Sequence, residues 1–286
     1  MPQRITGHTQ LVGIIATPIR HSKSPMMHNT AFEALGLDYA YLAFDVKPEE
    51  LTDAVRGLNA LGVRGFNVSM PYKREIIPLL DEISPISCMC ESVNTVVVEN
   101  GRLYGTITDG VGYLRSLREE GYEVRGKKIT VLGCGGASAA ICMQAALDGV
   151  AEISIFNRSG PSFARAEAYA AKINAQTSCK AAAYPLEEGL LRREIGESTL
   201  LCNATSVGMG TLEGQSIITD PTMLRPELAC SDVIYAPKET AFLSLAKGVG
   251  CPTVNGLGMV LYQGAESFRI WTGQEMPVDA VRAVLD

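Results

Sequence analysis

The chain of 286 residues carries a formal net charge of −6, with 47% hydrophobic and 20% charged residues. This length favours two domains, and the mixed composition excludes a disordered or fibrous chain. The acidic excess argues against a nucleic acid or an anionic membrane as partner, and charged residues interrupt each apolar run before it could span a membrane.

Strand and helix patterns alternate through the first hundred or so residues. The first helix is expected to begin at Ser24 as its N-cap and to stop at Gly36. Another helix is expected from Pro71, and the dipeptide Asn100-Gly101 predicts a tight hairpin. The remaining predictions are strands at residues 11–17, 39–46 and 65–69, a helix at 49–61, and two hairpin strands within 93–105.

The pattern starts anew at Asp109, after which strands and helices alternate again. Strands separated by helices predict βαβ units and mostly parallel sheets, so the fold class is α/β with two domains divided near Thr108. The predicted elements are a helix at 110–120, strands at 127–132, 151–157, 199–205, 231–237 and 251–256, and helical residues 259–286 broken at 271–273.

Eight cysteines are present, without a CxxC pair. The segment MPQRITGHTQ lacks the apolar stretch of a secretory signal peptide. We therefore expect reduced cysteines in a cytoplasmic protein. The three histidines lie near the N-terminus, far in sequence from most cysteines, so no metal site is predicted.

A glycine-rich loop follows the predicted strand at 127–132. Gly133, Gly135 and Gly136 precede an apolar helix as in the GxGxxG fingerprint of dinucleotide-binding folds, with Ser138 in place of the third glycine. Glycines let the main chain approach a pyrophosphate, which the free amides of the helix N-terminus would stabilise. A glycine-rich turn without a ligand is the alternative.

The end of the next strand indicates which dinucleotide binds. A carboxylate is typical there when the ribose 2′-hydroxyl is bound, but Asn157, Arg158 and Ser159 follow the strand instead. The Arg158 guanidinium suits a 2′-phosphate, so NADP is favoured over NAD. Stacking of Arg158 on the adenine, or a solvated Arg158, are the alternatives.

Polar segments recur in the first half where α/β sheets place ligands, at strand ends and helix starts. They are HSKSP at 21–25, NVSMPYK at 67–73 and SVNT at 92–95. Their hydroxyls and amides, with a charge pair from Lys73 and Asp109, suit a small polyhydroxylated acid. For single residues a local role stays open, with Ser24 as a helix cap and Asn94 as a turn former.

A series of motifs follows in order along the chain: HSKSPMMHN, GFNVSMPYK, SVNTVV, TDGVG, GCGGASAA, NATSVGM, VIYAP and NGLGMVLYQGAESF. In this order they resemble the shikimate dehydrogenase family, and SMP with the later WTG resembles its quinate/shikimate dehydrogenase branch. The resemblance implies an N-terminal α/β substrate domain (1–108 plus 259–286) and a Rossmann-type NAD(P)-binding domain (109–258). It implies an NAD(P)-dependent oxidoreductase that interconverts shikimate with 3-dehydroshikimate, and also quinate with 3-dehydroquinate.

The resemblance also implies residue roles. Lys73 and Asp109 would be the catalytic pair, with protonated Lys73 donating to the developing alkoxide during reduction. The implied substrate contacts are Ser22 and Ser24 at the carboxylate, and Ser69, Asn94, Tyr235 and Gln263 around the ring. The implied cofactor contacts are Gly133, Cys134, Gly135, Gly136 and Ala137 at the pyrophosphate, Asn157, Arg158 and Ser159 at the adenosine, and Ser206, Val233 and Gly256 near the nicotinamide. A small hydroxy acid is the expected partner, and a homodimer is an open alternative to a monomer.

Some positions depart from the family pattern. Ser69 replaces the usual Thr, which leaves room for the additional hydroxyl of quinate. Tyr72 stands where His is common, and Ile107 and Ala236 stand where Asn is usual, so two polar contacts are lost. Two other functions stay open: a dehydrogenase of a related cyclohexane acid such as an amino analogue, and a non-catalytic cofactor-binding sensor. Retention of the catalytic pair argues against the sensor.

Overall fold

The computed structural model describes residues 5–20 and 22–285. The chain divides into two compact units, Met1–Thr108 with Leu261–Asp286, and Asp109–Val260. Each unit contains one six-stranded sheet, which confirms the predicted α/β class. None of the helices in the described ranges combines the length and the apolar character needed to cross a membrane.

Strands and helices alternate along most of the chain. The strands are β1 (Gln10–Ala16), β2 (Tyr39–Asp45), β3 (Gly65–Val68), β4 (Glu82–Ile83), β5 (Thr95–Glu99), β6 (Arg102–Thr106), β7 (Lys128–Leu132), β8 (Glu152–Asn157), β9 (Lys180–Pro185), β10 (Leu200–Asn203), β11 (Ala229–Asp232) and β12 (Thr253–Val254). The helices are α1 (Ser24–Leu35), α2 (Leu51–Ala60), α3 (Pro85–Cys90), α4 (Asp109–Glu119), α5 (Gly136–Leu147), α6 (Phe163–Gln176), α7 (Glu188–Glu197), α8 (Ala241–Val249), α9 (Leu257–Thr272) and α10 (Val278–Leu285).

The sheet of the first unit has the order β2-β1-β3-β5-β6-β4. Strands β2, β1 and β3 are parallel, whereas β5 and β6 form an antiparallel hairpin. The hairpin turns at Asn100 and Gly101, whose φ angles are 52° and 75°, and Glu99 pairs directly with Arg102. Positive φ at both turn residues is typical of a two-residue hairpin turn, so the Asn-Gly prediction is confirmed.

Helix α1 begins one residue earlier than predicted. Ser24 is its first residue rather than its N-cap; the N-cap is Lys23, and no side-chain capping bond forms there among the described residues. The Ser24 side chain instead lies near the Tyr41 hydroxyl on β2, where it partly opposes the rise that burial causes in the pKa of Tyr41. Gly36 ends the helix at a φ of 63°, as predicted.

The α-helix expected from Pro71 is wrong. Turns occupy this segment, followed by a short 3₁₀-helix at Ile77–Leu79. Pro78 lacks an amide hydrogen and disfavours the α conformation of the residue before it, so an α-helix cannot continue through this point.

An aromatic cluster packs α1, β2 and α9 together in the first unit. The ring of His28 stacks on that of Tyr41, with 4.4 Å between centroids and 2° between planes. Gly65 makes room for Trp271, because a Cβ there would lie 2.3 Å from the indole Nε1. That nitrogen donates to the carbonyl of Val96 at 3.0 Å, so the bulky ring is both packed and hydrogen-bonded.

The second unit has the strand order β12-β11-β10-β7-β8-β9, with parallel pairing between the neighbours. Counted from β7, this is the order 3-2-1-4-5-6 of the Rossmann fold, which is the fold predicted for this unit. Strands β8 and β9 lie on the β7 side of the β7–β10 pair, and β11 and β12 lie on the β10 side. Ligands of such sheets bind outside the carboxyl ends of the strands at this switch point.

Two strands of the second unit differ from expectation. The sequence pattern does not indicate β9, whose KAAAYP carries three alanines with weak strand preference. The strand expected at 231–237 lies earlier, at Ala229–Asp232. Its partner β10 ends at Asn203, paired with Asp232, so the following residues leave the sheet and form a loop.

Acid sensitivity follows from the burial of His28, which is 1% exposed. Neither ring nitrogen has a hydrogen-bond partner among residues 5–20 and 22–285, and burial lowers the pKa of His28 from 6.5 to about 3. The unfolded chain therefore binds a proton at pH values where the folded chain does not. The stability contributed by the neutral ring is complete above a pH of about 6.5 and declines below it, by up to about 1.4 kcal/mol per pH unit.

We expect His28→Phe to reduce this dependence, because the variant keeps a ring in the aromatic cluster and removes the proton-binding group. Urea unfolding of both proteins at about pH 7.5 and about pH 5 checks the prediction. The free energy of unfolding should fall more for the wild type than for the variant. Equal losses in the two proteins would contradict it.

Candidate functional site

Asn94 and Gln263, both expected at the substrate, are hydrogen-bonded to each other in the first unit. Asn94 directly precedes β5, Gln263 lies on α9, and the Asn94 Nδ2 atom donates to Gln263 Oε1 at 3.3 Å. The Asn94 Oδ1 atom accepts from the Thr108 main-chain amide at 2.9 Å. That contact orients the amide, because a main-chain N–H can only donate. Asn94 is 3% exposed and belongs to a buried network.

Three predicted serines lie at the ends of elements in the same unit. Ser24 is the first residue of α1, Ser22 lies two residues before it, and Ser69 directly follows β3. The Ser24 amide donates to Ser22 Oγ at 3.2 Å. All three residues are partly exposed. His21, which opens the HSKSP segment, lies outside the described residues.

The predicted charged residues belong to different units. Lys73 is partly exposed in the first unit, and its main-chain carbonyl accepts from the Val93 amide at 2.8 Å. Asp109 is buried as the first residue of α4 in the second unit. Tyr235 lies in the second unit, in the loop after β11.

A buried polar network in the first unit was not expected from the sequence. The Asn67 Nδ2 atom donates to the Asn94 carbonyl at 3.0 Å and to Thr95 Oγ1 and Ser267 Oγ, each at 3.1 Å. Its Oδ1 atom accepts from the Tyr41 hydroxyl at 2.7 Å. One signal could have indicated Asn67: it is a polar residue within the apolar strand GFNV.

A cleft of about 400 Å³ opens in the second unit at the carboxyl ends of its strands. Of the predicted cofactor residues, those lining it are Gly133, Cys134, Gly135, Asn157, Arg158 and Ser206. Gly136, Ala137, Ser159, Val233 and Gly256 are not among the described lining residues. Polar lining residues that the sequence analysis missed are Ser162, Arg165 and Thr205.

The glycine loop at this cleft requires glycine at its first position and leaves the start of α5 uncovered. Gly133 has a φ of 106°, and a Cβ there would lie 2.8 Å from Thr205 Cγ2 and 2.9 Å from the Ala204 carbonyl oxygen. Gly135 is the N-cap of α5 and has no side chain to cover the first amides of the helix. Ser138, in the third glycine position, is buried, and its hydroxyl donates to the Gly133 carbonyl at 2.6 Å. The departure from GxGxxG is thus accommodated inside the loop.

The far end of the cleft is cationic. The Asn157 Nδ2 atom donates to Ser162 Oγ at 3.0 Å, which ties the end of β8 to the start of α6. Arg158 and Arg165 both line the cleft, and none of the described lining residues carries a carboxylate. Burial raises the pKa of the Cys134 thiol, so it stays protonated. This chemistry fits an anionic group such as a phosphate.

Two loops beside the cleft are joined by a buried carboxylate. Asp232 accepts from the Ile234 amide at 2.9 Å, from Asn203 Nδ2 at 3.1 Å and from the Thr240 hydroxyl at 2.8 Å. Asn203 Oδ1 in turn accepts from the Thr205 hydroxyl at 2.7 Å. Burial raises the pKa of Asp232 although these hydrogen bonds oppose the shift.

Val233 and Gly256, both expected near the nicotinamide, are in direct contact. A Cβ at Gly256 would lie 2.1 Å from the Val233 carbonyl oxygen, so glycine is required there. The Gly256 amide donates to the Ile234 carbonyl at 2.9 Å. The structure therefore brings these two predicted residues together.

Three of the four departures from the family pattern, the residues other than Ser69, have different surroundings. Tyr72 is buried, and its hydroxyl donates to the Val46 carbonyl at 2.5 Å. Ile107 is buried as well, whereas Ala236 is exposed. Tyr72 is therefore a core residue whose polar atom is already used.

One group of carboxylates lies close enough together to suggest a metal ion: Glu152, Glu194 and Glu197. The Lys128 ammonium lies 2.7, 2.7 and 2.6 Å from their oxygens, respectively. Arg193 also contacts Glu194, at 2.7 Å, so two cations of the protein stabilise these carboxylates. This arrangement is an ion cluster of the protein itself.

The two units define the class of protein. The second is a Rossmann-type dinucleotide-binding unit, with a glycine loop and a cationic cleft at the switch point of its sheet. The first is an α/β unit whose hydroxyls and amides suit a polar small molecule. This combination is typical of nicotinamide-dependent oxidoreductases.

Comparison with known proteins identifies the family. Residues 14–96 match the shikimate dehydrogenase substrate binding domain, and residues 256–285 match the shikimate 5′-dehydrogenase C-terminal domain. The chain is 55% identical over 284 residues to a shikimate dehydrogenase (NADP(+)) of Listeria monocytogenes serotype 4b (strain F2365), covering 99% of this chain and 98% of that one. The chain belongs to the shikimate dehydrogenase family.

Solved structures agree with this assignment. Shikimate 5-dehydrogenase from Listeria monocytogenes, in complex with shikimate and NAD, has a TM-score of 0.97 at 54% identity, covering 100% of this chain and 99% of that one. Quinate dehydrogenase from Corynebacterium glutamicum, in complex with NAD, has a TM-score of 0.86 at 28% identity, covering 96% and 98%.

Proposed function

We propose that this protein catalyses the NADP-dependent interconversion of shikimate and 3-dehydroshikimate. One observation carries the proposal. The dinucleotide cleft, lined by Arg158 and Arg165 without a described carboxylate, belongs to a chain that is 55% identical, over 99% of its length, to a relative named shikimate dehydrogenase (NADP(+)). A guanidinium pair favours the 2′-phosphate of NADP over the 2′-hydroxyl of NAD.

In the proposed reaction, the protein transfers the proton, and the hydride goes to the cofactor. When bound, NADP supplies the hydride acceptor for alcohol oxidation. Lys73 and Asp109 are the proposed acid–base pair, with Lys73 taking the hydroxyl proton during oxidation and returning it during reduction. Ser22 and Ser24 bind the carboxylate in this proposal.

The proposed contacts of the substrate ring are Ser69, Asn94, Gln263 and Tyr235. Ser69 lacks the methyl group of threonine, and we include quinate as a second substrate on that ground. The same fold carries quinate dehydrogenase activity in the Corynebacterium relative, by its name. A related cyclohexane acid, such as an amino analogue of quinate, is the alternative substrate.

The proposed location is the cytoplasm. None of the eight cysteines, all within the described residues, forms a disulfide, and all but the exposed Cys88 are buried, which suits a reducing compartment. A mass measurement by light scattering would decide between a monomer and the homodimer that the sequence analysis leaves open.

Initial rates of cofactor reduction, with shikimate and quinate each crossed with NAD and NADP, test the proposed function. We expect turnover of shikimate with a kcat/KM at least about tenfold higher for NADP than for NAD. Turnover of an amino analogue alone would support the related-acid alternative. Cofactor binding without turnover of any acid would contradict the proposal and favour the sensor.

Replacement of Lys73 tests its role. We expect Lys73→Ala to lower kcat by about 10² or more while shikimate still binds, because a general acid–base group typically contributes that factor. Lys127→Ala, at an exposed lysine before β7, is the matched control and should leave kcat unchanged. Near-normal turnover of the Lys73 variant would remove this lysine from the proposed mechanism.

Replacement of Arg158 tests cofactor selection. Arg158→Ala should raise the KM for NADP about tenfold or more and leave the KM for NAD nearly unchanged, because NAD has no 2′-phosphate to lose contact with. Arg56→Ala, at an exposed arginine on α2, is the control. A parallel change in both KM values would contradict a contact specific to the phosphate.

A further inference from the structure

A closed ring of hydrogen bonds joins α9 to the start of β5 in the first unit. Gln263 and Ser267 are separated by one turn of α9, and the Ser267 hydroxyl donates to the Gln263 carbonyl at 3.1 Å. Ser267 Oγ lies 2.7 Å from Thr95 Oγ1. Because the Thr95 proton is directed to Asn94, the single Ser267 proton is shared between the Gln263 carbonyl and Thr95 Oγ1. Thr95 Oγ1 donates to Asn94 Oδ1 at 2.9 Å, and Asn94 Nδ2 donates to Gln263 Oε1 at 3.3 Å. The ring thus returns to the residue where it began.

The chemical nature of the partners sets the direction of these bonds. Asn94 Oδ1 can only accept, and it receives hydrogen bonds from the Thr108 amide and from the Thr95 hydroxyl. The amide group is therefore oriented with its Nδ2 atom towards Gln263. A change in the Thr95 hydroxyl rotamer would remove one of the bonds that hold this orientation.

Ser267 holds the Thr95 hydroxyl in place. Both residues are fully buried, and Asn67 Nδ2 donates to the oxygens of both at 3.1 Å. The Ser267 hydroxyl is the member of this group that comes from α9, the helix that carries Gln263. The contact therefore fixes the position of Gln263 against Asn94 as well as the rotamer of Thr95.

Aromatic packing keeps the other end of the network rigid. Asn67 Oδ1 accepts from the Tyr41 hydroxyl, and the Tyr41 ring is stacked against His28. The Asn29 side chain also donates to the Tyr41 carbonyl at 2.9 Å and accepts from the Tyr41 amide at 3.0 Å. Asn67 therefore has one available orientation, and so does the pair of hydroxyls that it contacts.

We propose that Ser267 is a positioning residue for the substrate. Through Thr95, and through its own helix, it holds Asn94 and Gln263 in the hydrogen-bonded pair that receives the ring hydroxyls of the hydroxy acid. The inference rests on the proposed function, since it assumes that these two amides contact the substrate.

Ser267→Ala tests this role against a matched control on the same helix. Thr272→Ala removes a hydroxyl that donates to the carbonyl of Phe268, four residues earlier, at 2.8 Å, just as the Ser267 hydroxyl donates within the helix. We expect Ser267→Ala to raise the KM for shikimate about fivefold or more, with the KM for NADP changed less than about twofold. The Thr272 variant should match the wild type in both.

Two variants of Thr95 provide a second, independent test. Thr95→Val keeps the shape and removes the hydroxyl, so it should raise the KM for shikimate as Ser267→Ala does. Thr95→Ser keeps the hydroxyl and should restore a KM within about twofold of the wild type. Thermal unfolding is measured for each variant, and if Thr95→Val does not fold, the Ser267 and Thr272 pair decides.

The possible results distinguish failure of the proposed function from failure of the positioning role of Ser267. A wild type that turns over no shikimate would overturn the proposed function and this positioning role together. A wild type that turns over shikimate, with equal shikimate KM values for the Ser267 and Thr272 variants, would overturn the positioning role alone. A parallel rise in the KM values for shikimate and NADP would also overturn it, because general destabilisation has no preference for one ligand.

Discussion

The side-chain amide of Asn67 is the interaction on which the polar interior of the first unit depends. It lies on the central strand β3 and makes hydrogen bonds to groups of β2, α9 and the start of β5. A buried amide without partners costs about 1–3 kcal/mol, so these elements are constrained to one arrangement. A shift of one residue along β3 would turn Asn67 to the other face of the sheet. The apolar residues of the strand could tolerate such a shift more easily than the amide could.

In the second unit, a buried carboxylate constrains the neighbouring elements in a similar way. Asp232 ends β11 and accepts hydrogen bonds from the Ile234 amide in the following loop, from Asn203 at the end of β10 and from Thr240, which is the N-cap of α8. Its partner Asn203 ends the neighbouring strand β10 and fixes the Thr205 hydroxyl beside the glycine loop. Buried polar side chains at the ends of the adjacent strands β10 and β11 thus position the loops that follow them, and the loop after β10 lines the cleft. The raised pKa of Asp232 shows that burial outweighs the stabilisation of its charge by these bonds.

Local patterns in the sequence predicted the local features of the fold. The Asn-Gly hairpin, the glycine loop after β7 and the end of α1 at Gly36 each depend on a few neighbouring residues. The network was not predicted, because Thr95 and Ser267 are 172 residues apart and no periodicity relates them. Ser24 shows the same limit at short range. Its position suggested a helix cap, but Ser24 is the first residue of α1, and the N-cap is Lys23. Arg165 was missed because it lies beyond the strand end at which a cofactor-selecting residue is expected.

Cofactor selection in such a cleft is a difference between two affinities rather than an exclusion. The glycine loop and the start of α5 would contact the pyrophosphate, which NAD and NADP share, so this part of the binding energy does not discriminate between them. In the proposed function, Arg158 and Arg165 would act where the two cofactors differ, at the 2′ position. A charge-assisted hydrogen bond contributes about 1.5–3 kcal/mol, which corresponds to a preference of about ten- to more than a hundredfold. A carboxylate at this point would add repulsion of the phosphate, and none is present among the described lining residues. NADP is therefore favoured by attraction, and nothing in the cleft's described chemistry repels NAD.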